Sequence, residues 1–175
     1  MRKALSIAAI LLITIAAVYF SSCNNESTVK SDDTKDSLKQ VIARGEYLVN
    51  HVAGCIDCHS KRDFTKYSGP VVPGSEGGGG MLFDPKFGLP GMIYGKNITP
   101  DSATGIGTWT EQQFFKAIRE GKYLGLDNTR PLLPPMPWQE YRNASDDDLR
   151  AVFAFLKSTK PVRNVVPPPV LRQKS

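Results

Sequence analysis

Cys55-Ile56-Asp57-Cys58-His59 is the stretch that decides the fold. Two thiols three positions apart, followed at once by an imidazole, form the attachment pattern for a covalent haem. Positions i and i+3 share one face of a helical turn. Both sulfurs can then form thioethers with the two vinyl groups of one porphyrin, and His59 carries its imidazole beneath the iron as the proximal ligand. One covalent haem c is therefore the expected cofactor. The group would also add apolar surface to a core that a loop-rich chain could not fill alone.

Three other readings compete for the same residues. A bare Cys-x-x-Cys serves as a redox pair in thioredoxin-like proteins, but no βαβ pattern surrounds this one. Half a zinc site would need a second Cys/His pair, and the only other histidine is His51. A structural disulfide is open to any exported chain. The adjacent His59 and the exported setting argued below favour haem.

Simple electron transfer calls for a second axial ligand, and the candidates are Met81, Met92, Met136 and His51. His51 lies only eight positions before His59, on the helix leading into the motif, which puts it on the wrong side of the porphyrin. Met136 sits in Pro134-Pro135-Met136-Pro137-Trp138. Prolines on both sides stiffen that loop and lower the entropy lost in holding a thioether at the iron. Met136 is thus the expected distal ligand, with Met92 in Pro90-Gly91-Met92 as the runner-up. His/Met ligation raises the reduction potential, which suits an electron carrier. Around the iron, the His59 N–H needs a carbonyl acceptor, and Gly69-Pro70 can fold back to offer that of Pro70. Trp109 and Tyr94 can donate to haem propionates or pack as core. Arg130 can pair with a propionate or stay exposed.

Outward from the motif, apolar spacing predicts a helix over 38–53, interrupted by Gly45. A glycine kept in mid-helix points to close packing against another element. Residues 60–100 read as loop, with Gly77-Gly78-Gly79-Gly80 as a flexible surface segment that lacks the ending of a phosphate-binding loop. Thr110-Glu111-Gln112-Gln113 is a capping box opening a second helix that Gly121 stops. Ser145 caps a third, whose first turn is Asp146-Asp147-Asp148. Pro161 and Pro167-Pro168-Pro169 end regular structure. Thirteen Pro and fifteen Gly suit long loops, and no strand pattern of convincing length stands out. The fold class read from this is all-α, with three to five short helices around one haem.

The N-terminus reads as an export signal. Met1-Arg2-Lys3 precedes an apolar run from Ala4 to Phe20, short for a bilayer span of ~17–25 residues. Cys23 follows Ser21-Ser22, as at a bacterial lipoprotein processing site. The expected organisation is a signal peptide over 1–22 with Cys23 lipidated, a flexible polar linker over 23–37, a haem domain over 38–162 and a Pro-rich tail over 163–175. An uncleaved signal anchor is the alternative. Either places the domain in the bacterial envelope, membrane-anchored and facing the periplasm. The formal charge of +5 includes Arg2 and Lys3; without them, 20 basic residues face 17 acidic ones. No basic stripe with interleaved aromatics is present, so no nucleic-acid partner is expected.

Cys55 to His59, Met136 between prolines and a C-terminal amphipathic helix resemble class I cytochrome c. Asn97-Ile98-Thr99-Pro100-Asp101, Thr104-Gly105-Ile106-Gly107 and Trp109-Thr110 resemble one branch in particular, as do Arg44-Gly45-Glu46-Tyr47-Leu48 and Met136-Pro137-Trp138. That branch is the haem domains in cytochrome subunits of membrane-bound alcohol, aldehyde and gluconate dehydrogenases. The resemblance covers roughly 41–160. It implies a cytochrome c fold in which the first and last helices cross closely, with Gly45 and Tyr47 facing Phe153. Those subunits carry three haem domains, whereas this chain has one attachment motif. The resulting expectation is a carrier of single electrons rather than an enzyme. Its partners would be redox proteins such as a periplasmic dehydrogenase, a quinol-oxidising complex or a terminal oxidase. A haem enzyme, a gas-binding sensor and a purely structural lipoprotein are the rival classes.

Overall fold

The computed structural model describes residues 26–172. The expected signal peptide and Cys23 lie outside the described residues. The chain divides into a unit up to Gln40 and a larger one from Val41. Helix α1 spans Glu26–Tyr47. It therefore starts twelve residues ahead of the expected helix, inside the stretch expected to be a flexible linker. No Pro or Gly stands between residues 24 and 44 to break a helix. Asp36 and Lys39 stand at helical i,i+3 spacing, and the Ser37 hydroxyl donates to the Thr34 carbonyl at 2.9 Å.

In the larger unit, α1 passes into one widened turn of π-helix, Leu48–Val52, and then α2, Cys55–Cys58. Gly54 between them takes a left-handed conformation, φ 59°, which glycine adopts without steric cost. Helices α3 (Glu111–Glu120), α4 (Trp138–Tyr141) and α5 (Asp146–Ser158) follow. The expected start signals operate. Thr110 and Gln113 form a reciprocal capping box, and the Ser145 hydroxyl accepts the Asp148 N–H at 3.1 Å. Gly121, left-handed at φ 66°, closes α3.

Gly45 explains itself at the crossing of α1 and α5. A methyl group there would run into the Ala151 carbonyl and the Phe155 side chain. The partners differ from those the resemblance implies. Tyr47 is half exposed and lies near Arg44 and His51, its neighbours in sequence. Phe153 stacks instead on Phe114, centroids 5.1 Å apart. Val49, Ile106, Phe114, Leu149 and Leu156 form the buried core beside this crossing. Burying each such side chain contributes about 1.5–3 kcal/mol.

Three short strands add to the helices expected: β1 (Leu82–Phe83), β2 (Gly91–Tyr94) and β3 (Val170–Leu171) form an antiparallel sheet in that order. They are too short for alternation to stand out in sequence. They also correct the expected boundary at 162. The proline-rich segment does not leave the domain but runs back across it. The Asn164 side chain donates to the Gly78 carbonyl at 2.8 Å, the Lys96 ammonium donates to the Pro167 carbonyl at 2.9 Å, and β3 pairs with β2. Proline ends a helix without preventing an edge strand.

Candidate haem-binding site

A cavity of about 480 Å³ opens between the α2 turn, the β2 segment, α3, α5 and the Met136 loop. Cys55, Cys58 and His59 line it, and so does Met136. His51, Met81 and Met92 do not line it, so of the four candidate distal ligands Met136 alone shares the cavity with His59. Its other walls are mainly apolar, supplied by residues such as Ile98, Ile106, Phe114, Leu133, Val152 and Leu156. Volume and lining suit a largely apolar prosthetic group.

The α2 turn brings the motif to this wall as the spacing predicts. Cys55 is half-buried and Cys58 exposed, and both are free thiols. Burial pushes the Cys55 thiol up to about 11, and burial followed by the nearby Asp57 carboxylate raises that of Cys58. Both sulfurs are thus protonated at neutral pH. Asp57 is held by Arg62 at 2.7 Å, and the Arg62 guanidinium also donates to the Gly69 and Ser68 carbonyls. This ties the following loop to the motif.

His59 is fixed at both ends. Its Nδ1 lies 2.6 Å from the Lys96 carbonyl, and its own carbonyl accepts the Gly79 N–H at 2.7 Å. A carbonyl oxygen can only accept, so Nδ1 carries the proton and Nε2 is left bare for a metal. Enclosure of the ring, only partly offset by the Lys96 carbonyl, holds its pKa below the ordinary value. Neutral imidazole is the ligating form.

The Lys96 carbonyl replaces that of Pro70 in this role. Pro70 is committed elsewhere: its carbonyl accepts the Asp63 N–H at 2.9 Å, within the bridged loop joining Arg62 to Val71. Trp109, Tyr94 and Arg130 all line the cavity. The Arg130 guanidinium also lies 3.9 Å from the centroid of the Tyr123 ring and donates to the Pro131 carbonyl at 2.9 Å.

Other residues of the site lie outside the sequence expectations. Gly77, Gly78 and Gly79 are buried rather than forming a flexible surface loop. The Gly77 N–H donates to Ser60 Oγ at 3.0 Å, and that hydroxyl donates to the Ile56 carbonyl at 2.6 Å. The Gly80 N–H reaches the Gly95 carbonyl at 2.9 Å. These glycines are a buttress behind the motif. At Gly79, φ is +77° and a Cβ would stand 2.7 Å from the Asn97 nitrogen and the Gly95 carbonyl oxygen. Tyr141 is the second such residue. Its hydroxyl donates to the Ala53 carbonyl at 2.9 Å, clasping the Met136 side of the cavity to the motif side. Backbone acceptors such as Lys96 leave no trace in residue type.

No family model matches the chain. Relatives do. The chain is 36% identical over 129 residues, 74% of its length, to a subunit of nicotinate dehydrogenase from Pseudomonas putida, and this covers 9% of that protein. It is 36% identical over 129 residues to the cytochrome c subunit of alcohol dehydrogenase (quinone) of Gluconobacter oxydans, covering 73% of the chain and 23% of the subunit. It is 33% identical over 142 residues to the gluconate 2-dehydrogenase cytochrome c subunit of Pantoea cypripedii, covering 78% and 26%. The chain thus spans between about a tenth and a quarter of the length of these relatives. Its helices enclose an apolar cavity whose wall carries the Cys-x-x-Cys-His turn, and its relatives include cytochrome c subunits: the chain has the cytochrome c fold.

Proposed function

We propose that this chain binds one haem through thioethers at Cys55 and Cys58, with His59 and Met136 as axial ligands, and carries single electrons. The observation that carries the reading is the His59 ring, with Nδ1 bonded to the Lys96 carbonyl and Nε2 free in an apolar cavity that Met136 also lines. When bound, the haem supplies the one-electron couple. The chain's own residues do the rest. Lys96 fixes the imidazole tautomer and its plane, and the apolar lining keeps water from the iron. Met136, on a proline-stiffened loop, offers a soft sulfur that favours the reduced state. The haem count of one follows the single attachment motif in the sequence.

The donor in this reading is a dehydrogenase, since the relatives include named dehydrogenase subunits. A quinol-oxidising complex is a second donor class, and a terminal oxidase an acceptor. The lipid anchor at Cys23 and the periplasmic location belong to the same proposal and rest on the sequence of residues 1–23.

Denaturing electrophoresis of the matured protein followed by haem staining tests the attachment: a stained band is expected, and a colourless band whose two cysteines alkylate freely ends the reading. Met136→Ala should remove the weak sulfur-to-iron absorption of the oxidised form and let carbon monoxide bind the reduced form. An unchanged spectrum assigns the distal position elsewhere.

A further inference from the structure

The carbonyl that accepts the His59 Nδ1–H stands next to a side chain whose amide donors and acceptor are all engaged. Asn97 is buried, 4% exposed. Its Nδ2 donates to the Val162 carbonyl at 2.7 Å and to Thr104 Oγ1 at 2.9 Å. Its Oδ1 accepts the Thr99 N–H at 2.9 Å and the Thr99 hydroxyl at 2.7 Å. One amide therefore joins the β2 exit, the 101–105 loop and the segment after α5. On the other side of Lys96, the Gly95 carbonyl accepts from Gly80, and the Gly95 N–H donates to the Met81 carbonyl at 2.9 Å. Lys96 is a short span strung between these two anchors. Between them its carbonyl meets Nδ1 at 2.6 Å, and its own ammonium is held by the Pro167 carbonyl.

We infer that Asn97 is a positioning residue for the axial histidine, setting how strongly the His59 N–H is held and through it the reduction potential of the iron. A short N–H to carbonyl bond gives the imidazole more anionic character, which strengthens its donation and favours ferric iron. Loosening the Lys96 carbonyl therefore raises the potential. The inference rests on His59 ligating haem iron, and the haem spectrum of the unaltered protein checks that beforehand.

Asn97→Leu keeps roughly the volume but removes the donor that faces Val162 and Thr104 and the acceptor of Thr99, without adding charge. Thr104→Val is the milder partner, removing one acceptor of the same amide. Phe155→Leu is the control, since Phe155 packs at the α1–α5 crossing and does not line the cavity. In matured, haem-loaded protein, two readouts are followed: the midpoint potential by spectroelectrochemical titration and solvent exchange of the His59 Nδ1 proton by NMR. Both cluster variants should raise the potential and quicken exchange, Asn97→Leu more than Thr104→Val. The control should lower stability alone. If Asn97→Leu does not mature, Thr104→Val carries the test. Potential and exchange at unaltered values in the variants that mature, or shifts no larger than those of Phe155→Leu at equal loss of stability, overturn the inference. A colourless unaltered protein defeats instead the haem reading beneath it.

Discussion

Two chain segments that support the site, one behind the motif and one on the cavity wall, are built by opposite means. Gly77–Gly80 is largely buried and made of residues with no side chains, and its backbone is fixed by His59, Ser60, Gly95 and Asn164. Pro134–Pro137 is mostly exposed, with Met136 half-buried. Its order comes from ring-locked φ angles, two turn bonds (Met136 N–H to the Leu133 carbonyl at 3.3 Å and Glu140 N–H to the Pro137 carbonyl at 3.0 Å) and the Tyr141 clasp. The first gives close approach to the motif backbone, which only glycine permits. The second gives a stiff but lightly tethered arm. In the proposed reading, the first supports the residue bearing the proximal imidazole and the second carries the distal thioether.

The largest break in this contrast is expected at Gly79. Gly79→Ala combines a left-handed φ with a methyl group pressed on the Asn97 and Gly95 backbone, and should cost about 3 kcal/mol or more in urea unfolding of the matured protein. Gly88→Ala shares the positive φ but meets open space, so it should cost only about 1 kcal/mol. Equal losses at the two sites would remove the buttress argument.

The same contrast runs between the two thiols. In the haem-free chain, Cys55 sits against the wall with its pKa at about 11, while Cys58 is exposed. At pH 8, Cys55 should hold roughly 100-fold less thiolate than a thiol at the ordinary value of 9.0. Mass spectrometry of a timed iodoacetamide reaction should show Cys58 labelled first. Raising the pH should speed Cys55 until its pKa is passed.

A smaller effect tests the clasp. Tyr141→Phe removes one hydrogen bond and should lower stability by about 1 kcal/mol. The Met136 ligation signal should weaken on heating before the global transition, because the arm loses its tie to the motif. Coincident transitions would show that the prolines alone hold it.

The smallest effect belongs to Arg44 and Asp148, paired at 2.9 Å between α1 and α5. Hydrogen bonding to Arg44 holds the Asp148 carboxyl below its ordinary value. A depressed carboxylate contributes stability above its unfolded pKa and loses it as pH falls through the folded one. Asp148→Asn should therefore cost under about 1 kcal/mol at pH 7, and the difference should vanish below the depressed value. Thermal unfolding across pH 2–7 measures it.

Whatever is written in side chains at fixed spacing is legible in the sequence. The capping box at Thr110, the stop at Gly121, the Asp-rich start at Ser145 and the close contact at Gly45 all stand in the fold. The early start of α1 is hidden because polar composition reads as disorder, although nothing in that stretch breaks a helix. The acceptor for His59 is misplaced at Pro70 because a carbonyl carries no residue signature, and proximity in sequence is then the only guide. The glycine run reads as slack because glycine's freedom shows in sequence, while the neighbours that remove it do not. Tyr141 needs the folded arrangement, its partner Ala53 being 88 positions away.

The Asn97 amide closes on Val162, 65 positions further along the chain. The attachment turn is thus translated well before the residue that completes the anchor of its imidazole acceptor. A chain ending short of Val162 would leave the Lys96 acceptor of His59 with one anchor fewer.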